Sequence, residues 1–280
     1  MSPKNPNSNN SKNSKNQKSL FVAMLSSLML SSLLVTNAAF ASIISKTVEY
    51  TANGETMESV VFYDDKKKAP MPAIIIVPDW MGVGDFAKNK AKILAKEGYV
   101  AYVADVYGKG VRPKNNAEAG KLAGKYMEDR ALLRTHIKAG YDNLLEMKEV
   151  DPHKVVAMGY CFGGTTVLEL ARMGTPLVGT ATFHGVLSNP NPEDAKNIKG
   201  PVLVMHGGED PHVTEGQVKA FKDEMKKANV DLTFLVYPDA VHAFTNPDAG
   251  HDKSTGSAYN APADKKSWEA FQGFLKKVMK

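Results

Sequence analysis

Val155-Val156-Ala157-Met158-Gly159-Tyr160-Cys161-Phe162-Gly163-Gly164 is the stretch on which the reading of this chain turns. An apolar, β-branched run ends in Gly-x-Cys-x-Gly, and a helix-compatible segment follows from Thr165 to Arg172. That is the layout of a nucleophile elbow, with cysteine in the usual place of serine. A strand that turns sharply into a helix strains the backbone of its central residue, so the flanking residues must be small. The apex side chain then projects clear of the sheet. Cys161 is the only cysteine in the chain, and a free cysteine can equally be a small buried hydrophobe.

Around the elbow, apolar strands alternate with helical segments. Two short strands are expected at Lys46 to Tyr50 and Glu58 to Tyr63, joined through Asn53-Gly54, a hairpin turn signal. Ala73 to Val77 reads as a continuous apolar strand, followed by a Gly-containing loop from Pro78 to Gly84. Phe86 to Glu97 has helical spacing and stops at Gly98. After a strand at Tyr99 to Val103, a long helical stretch covers about Ala117 to Lys148, with a break expected near Gly124 or Gly140. Strands at Val155 to Tyr160, Leu177 to Phe183, Val202 to His206 and Leu232 to Tyr237 then alternate with helices at Phe162 to Arg172 and Glu215 to Ala228. A helix from Asp264 to Met279 closes the chain. The expected fold is α/β: a mostly parallel central sheet with helices on both faces, after an antiparallel N-terminal hairpin.

Residues 1–41 are different in kind. A polar, lysine-containing segment precedes an apolar run of sixteen residues, Leu20 to Val35, with four serines, and Ala39-x-Ala41 follows. This pattern predicts a secretory signal peptide cleaved after Ala41, with an uncleaved N-terminal anchor as the alternative. The full-chain charge of +5 falls to +1 without the four leader lysines, so nothing argues for nucleic acid. Residues 42–280 are then expected to form one periplasmic or secreted domain, a monomer, with no membrane attachment once the leader is removed. Export favours disulfides, yet a lone cysteine has no partner within the chain. The same lack of a resolving thiol argues against redox chemistry.

Later strands end in polar residues where a parallel sheet places its functional loops. His206-Gly207-Gly208-Glu209-Asp210 follows one strand, and Pro238-Asp239-Ala240-Val241-His242-Ala243-Phe244 follows the next. The order Cys161, Asp210, His242 is the nucleophile, acid, histidine order of α/β-hydrolases. A thiol reacts as its thiolate, so it needs a base, and His242 can take its proton. Asp210 would fix the imidazole tautomer and stabilise its charge. Taken singly, Asp210 could be a turn aspartate and His242 a core residue. His206, Asp210 and His212 could reach one ion, but their spacing matches no zinc signature, and no metal or cofactor is expected. Oxyanion donors are expected from the backbone N–H groups of Phe162 and Trp80, and the Trp80 ring could wall an apolar pocket.

With these residues in place, the chain resembles the dienelactone hydrolase family of cysteine α/β-hydrolases from about Thr47 onward. Gly159 to Gly164 is close to the family's elbow. Asp105-Val106-Tyr107-Gly108, His206 to Asp210, Val241 to Phe244 and Tyr259-Asn260 with Ala263 and Trp268 fall where the family has its matching segments. The resemblance implies a cofactor-free hydrolase of small esters or lactones acting through an acyl-cysteine. Asp79 stands where the family has a glutamate that engages the resting thiol. Lys109 stands near the place of an arginine that grips a substrate carboxylate, and a lysine lacks the bidentate fork. A second arginine, expected after the histidine, is replaced by Thr245-Asn246-Pro247. Tyr107 and Phe244 are expected to line the same pocket as Trp80. A non-catalytic ligand-binding protein on the same fold is the alternative. If His242 is a free base at rest, activity should rise through one imidazole-like ionisation, whereas a flat neutral profile would mean a preformed thiolate.

Overall fold

The structure is a computed structural model, and it describes residues 42–280. The expected leader and its cleavage after Ala41 lie outside the described residues. β1 (Ile43–Ala52) and β2 (Glu55–Asp64) form an antiparallel hairpin in full register from Ile43 opposite Asp64 to Ala52 opposite Glu55. Asn53 and Gly54 both take positive φ, 49° and 79°, the geometry a two-residue hairpin loop demands. Both strands run longer than their apolar alternation suggested, because the ladder pairing continues to Ile43 opposite Asp64 at one end and Ala52 opposite Glu55 at the other.

Six further strands complete one sheet: β3 (Met71–Val77), β4 (Val100–Val103), β5 (Val150–Tyr160), β6 (Gly179–Phe183), β7 (Val202–Gly207) and β8 (Leu232–Tyr237). Their order is β1-β2-β4-β3-β5-β6-β7-β8, and every pair beyond β2 with β4 is parallel. This is the expected α/β-hydrolase architecture. Successive residues of β3 feed opposite cores: Ala73, Ile75 and Val77 one face, Ile74 and Ile76 the other. That explains why the strand reads as a continuous apolar run. β5 begins five residues before Val155. The strand includes the polar run Asp151-Pro152-His153-Lys154, which the sheet accommodates through a register irregularity opposite Met71 and Ala73.

The helices are α1 (Asp85–Lys96), α2 (Asn116–Glu128), α3 (Arg130–Leu145), α4 (Phe162–Arg172), α5 (Glu215–Lys227) and α6 (Ala261–Val278). The long helical stretch is two helices, and the break falls at Asp129 rather than at Gly124 or Gly140. Asp129 leaves helical geometry, and its side chain accepts the Leu132 N–H at 2.9 Å, capping α3. Gly140 serves close packing instead, since a Cβ there would press within 2.9 Å of the Tyr50 hydroxyl. Every residue of α4 is buried. Its Arg172 is fully enclosed and is satisfied by Glu169 at 3.1 Å and Glu224 at 2.9 Å. Sequence order reverses between β4-β3 and β3-β5, and in open α/β sheets such a switch point is where sites form.

Candidate active site

Cys161 sits at the junction of β5 and α4 with φ 53° and ψ −118°, a conformation costly for any residue with a side chain. The elbow closes only because its neighbours lack Cβ atoms. A Cβ on Gly159 would overlap the Gly163 carbonyl, and one on Gly163 would overlap the Val77 carbonyl. The Cys161 N–H donates to Phe183 O at 3.0 Å, while Cys161 O receives Gly164 N–H at 2.9 Å. The thiol is thus fixed by backbone on both sides. It stands at the N-terminus of an eleven-residue helix, whose dipole favours negative charge on Sγ.

His242 Nε2 lies 3.0 Å from Cys161 Sγ, and His242 Nδ1 lies 2.8 Å from Asp210 Oδ2. The three residues, 32 and 81 positions apart in these pairings, meet at the strand ends. Asp210 is itself held, since its Oδ1 accepts the His212 N–H at 2.9 Å. Burial disfavours an imidazolium at this place, but the Cys161 sulfur and the Asp210 carboxylate outweigh it and raise His242 to about 10. At neutral pH His242 is therefore set to hold its proton rather than to rest as a free imidazole base. The exposed His212 ring stands 4.8 Å from that of His242, and both burial and the His242 charge push its proton affinity down. Among the described residues no group of three His, Cys, Asp or Glu side chains is arranged to hold an ion. His206, Asp210 and His212 are not one set: Asp210 faces His242, and His206 packs against Phe234.

The loop after β3 supplies a different kind of structure. The Asp79 carboxylate accepts the Met81 N–H at 2.9 Å, and its carbonyl accepts Gly82 N–H at 3.0 Å. Burial raises its carboxyl above the usual range, and the charge on His242 pulls the other way. Its carboxylate shapes the turn, while the Cys161 thiol is engaged by His242. Trp80 packs against the core beside α2, its ring 3.7 Å from where a Gly120 Cβ would stand. The Tyr107 hydroxyl donates to Trp80 O at 3.1 Å, and its ring packs against Phe162 at 5.4 Å. Tyr107 is itself placed by the buried Asp105, whose Oδ1 accepts the Tyr107 and Gly108 N–H groups. Phe162 begins α4, so its N–H is one that helix geometry leaves without an intrahelical acceptor.

The structure gives two of the candidate substrate residues partners of their own. Lys109 Nζ is 2.6 Å from Glu49 on β1, in an exposed ion pair. The cation packed into the site loop is Arg112, whose Cδ lies 3.8 Å from a Cβ built on Gly82. Its Nη1 is held by Gly108 O at 3.2 Å, Val111 O at 2.7 Å and Asp105 Oδ1 at 3.5 Å, and its Nη2 lies 3.9 Å from Glu58 Oε1. Phe244 does not line a pocket. It is fully buried behind the site, between His184 at 5.1 Å and Tyr237 at 5.3 Å. The sequence reading also passed over His184, buried at the end of β6, although a polar residue just after a strand was the signal used for Asp210 and His242.

The sequence profile of the dienelactone hydrolase family matches residues 57–279. A protein of Saccharolobus solfataricus, provisionally named a carboxymethylenebutenolidase, is 28% identical over 80% of this chain and all of its own length. A solved structure named m3DLH superposes with a TM-score of 0.82 at 34% identity, covering 85% of this chain and 99% of that one. The dienelactone hydrolase-like promiscuous phosphotriesterase P91, from metagenomic libraries, superposes at 0.80 with 36% identity over the same shares.

Proposed function

The chain belongs to the dienelactone hydrolase family, and from that premise we propose that it hydrolyses small carboxylic esters or lactones through an acyl-cysteine on Cys161. The observation that carries this reading is the continuous chain Cys161 Sγ, His242, Asp210, with contacts of 3.0 and 2.8 Å. The Cys161 thiolate attacks the substrate carbonyl, and the backbone N–H groups of Phe162 and Trp80 stabilise the oxyanion. As the C–O bond breaks, the leaving alkoxide takes the His242 proton. Neutral His242 then removes a proton from water as that water attacks the thioester. Thiolate departs, the acid is released, and the imidazolium is restored.

Substrate class follows from charge. Lys109 is paired with Glu49, and Arg112 is held by two carbonyls and Asp105. Both cations of this loop already have acidic partners, which favours neutral substrates, with an apolar part against Trp80. Export of the mature domain remains part of the proposal, resting on the leader pattern.

The test is turnover of a panel by protein starting at Ser42: neutral aryl esters, neutral lactones, a carboxylate-bearing dienelactone and an aryl phosphotriester. Cys161→Ala with native circular dichroism runs beside it. The expected result is hydrolysis of the neutral esters or lactones, lost by at least about ten-thousand-fold in the variant. Equal turnover by both proteins would sink the acyl-cysteine, and a clear preference for the dienelactone would overturn the neutral-substrate assignment.

A further inference from the structure

Five residues other than glycine have positive φ among the described residues. Two, Asn53 and Asn229, are of the type that tolerates it in turns. The other three are Cys161 (53°), His184 (42°) and Ala243 (55°). Cys161 is the elbow, and Ala243 adjoins His242. His184 is the remaining one, and the mechanism above gives it nothing to do.

Its surroundings tie it to both. The His184 N–H donates to Met205 O at 2.8 Å, while its neighbour Phe183 accepts the Cys161 N–H. The next residue, Gly185, passes so close to the first turn of α4 that a Cβ would stand 2.9 Å from Gly164 C. The backbone of His184 is therefore locked to the elbow. Its side chain reaches the opposite way. His184 Nε2 is 2.8 Å from Thr245 Oγ1, on the loop that carries His242. The ring meets that of His242 edge-on, at 5.2 Å and 67°. Phe244 and Tyr160 close the remaining sides at 5.1 and 6.1 Å.

We propose that His184 is a positioning residue for the catalytic histidine, a fixed ring tethered through Thr245 that holds His242 in line with both Cys161 and Asp210. This inference rests on the acyl-cysteine reading of the same site. The two bonds of His242 fix its ends, but the imidazole can still tilt about the line joining them. An edge-on ring on its flank limits that tilt, and the Thr245 bond keeps the loop at the right height. A protonated His184 would repel the imidazolium, and its burial, with the charge of His242 added, keeps it neutral. The charged and titratable groups facing His242 are Cys161, Asp210, His184 and His212, with Asp79 and His206 acting from farther off. Lys90 acts on His184 in the same direction as His242.

The experiment reads the thiolate directly. The rate of Cys161 alkylation by iodoacetamide is followed against pH in wild type, His184→Asn, Thr245→Val and Thr245→Ser, beside kcat and KM for the best neutral ester. Asparagine tolerates the left-handed backbone, so His184→Asn removes the ring without adding strain. The expected result in His184→Asn and Thr245→Val is a rise in the alkylation midpoint of about half a unit or more. With it comes a fall in kcat of about ten- to a hundredfold at nearly constant KM. Thr245→Ser, which keeps the hydroxyl, should behave as wild type. An unchanged alkylation profile in the variants, with only thermal stability lowered, would reduce His184 to a packing residue and overturn the proposal. Should either variant fail to fold, the other still decides. Ester turnover absent from wild type would refute the acyl-cysteine reading, while the alkylation arm still tests the alignment.

Discussion

The two halves of the site are built from opposite kinds of bond. On the elbow side, side chains bond to side chains across long stretches of sequence: Cys161 to His242, His242 to Asp210, His184 to Thr245. On the early-loop side, most bonds run from side chains to nearby backbone: Asp79 to Met81, Asp105 to Tyr107 and Gly108, Arg112 to Gly108 and Val111. Bonds of the first kind couple titratable groups and set protonation. Bonds of the second kind set loop shape, and they consume the polar atoms that a charged ligand would need. On the proposed function, proton transfer and nucleophilic attack belong to the first half, and loop shape, with one oxyanion donor, to the second. The distinction can be broken experimentally, since mutations in the two halves should differ in size and in what they leave untouched.

The largest effect is expected from Asp210→Asn. The carboxylate holds the imidazole tautomer and stabilises its charge, so kcat should fall by about ten-thousand-fold. Proton affinity gives a second readout. In wild type the Cys161 sulfur and the Asp210 carboxylate hold His242 at about 10, against an ordinary value of 6.5. Activity should therefore be flat through neutral pH and fall only as the imidazolium loses its proton at the alkaline end. The native-state stabilisation from this proton is complete below 6.5 and is lost as pH climbs through about 10. Removing the Asp210 charge should draw the alkaline limb downward. A wild-type profile that climbs through an imidazole-like midpoint would instead mean a free base at rest.

Legibility in the sequence follows the same divide. The elbow was readable because its constraint is local and steric: Gly159, Gly163 and the apolar run of β5 admit few alternatives. The order Cys161, Asp210, His242 carried information because parallel strands deliver their loops to one edge. The parallel core showed through continuous apolar runs, and the hairpin through Asn53-Gly54. What the sequence does not show is which partner a side chain takes. Lys109 reads as a free cation until Glu49 is found across the hairpin, 60 residues away. Phe244 follows His242 closely in sequence, yet its positive-φ neighbour Ala243 turns the chain so that the ring enters the core. Asp129 ended a helix by capping the next one, a role its glycine neighbours seemed better suited to.

A smaller effect is expected from Tyr107→Phe. The hydroxyl that steadies Trp80 O would be lost while the ring and its packing on Phe162 remain. Loosening one oxyanion donor without deleting it should cost about tenfold in kcat. Iodoacetamide alkylation of Cys161 should be unchanged, because the thiolate and imidazolium belong to the other half. A shift in the alkylation profile would show that the two halves are coupled and would erase the distinction drawn between them.

The smallest effect is expected from Lys109→Met, and it sharpens the selectivity argument. Lys109 and Glu49 are both about half exposed, and water screens such a pair strongly. Removing the ammonium frees Glu49 at the surface and touches neither the oxyanion loop nor the triad. Turnover of neutral esters should stay within about twofold of wild type, as surface substitutions of this kind commonly do. The informative comparison is with a carboxylate-bearing substrate in the same assay. If Lys109 swings off Glu49 to grip that carboxylate, the variant loses turnover on the charged substrate alone, through KM and in a salt-dependent way. Equal, small changes on both substrates would fix Lys109 as part of the hairpin surface. The apolar wall around Trp80 would then be the selective element on the early-loop side.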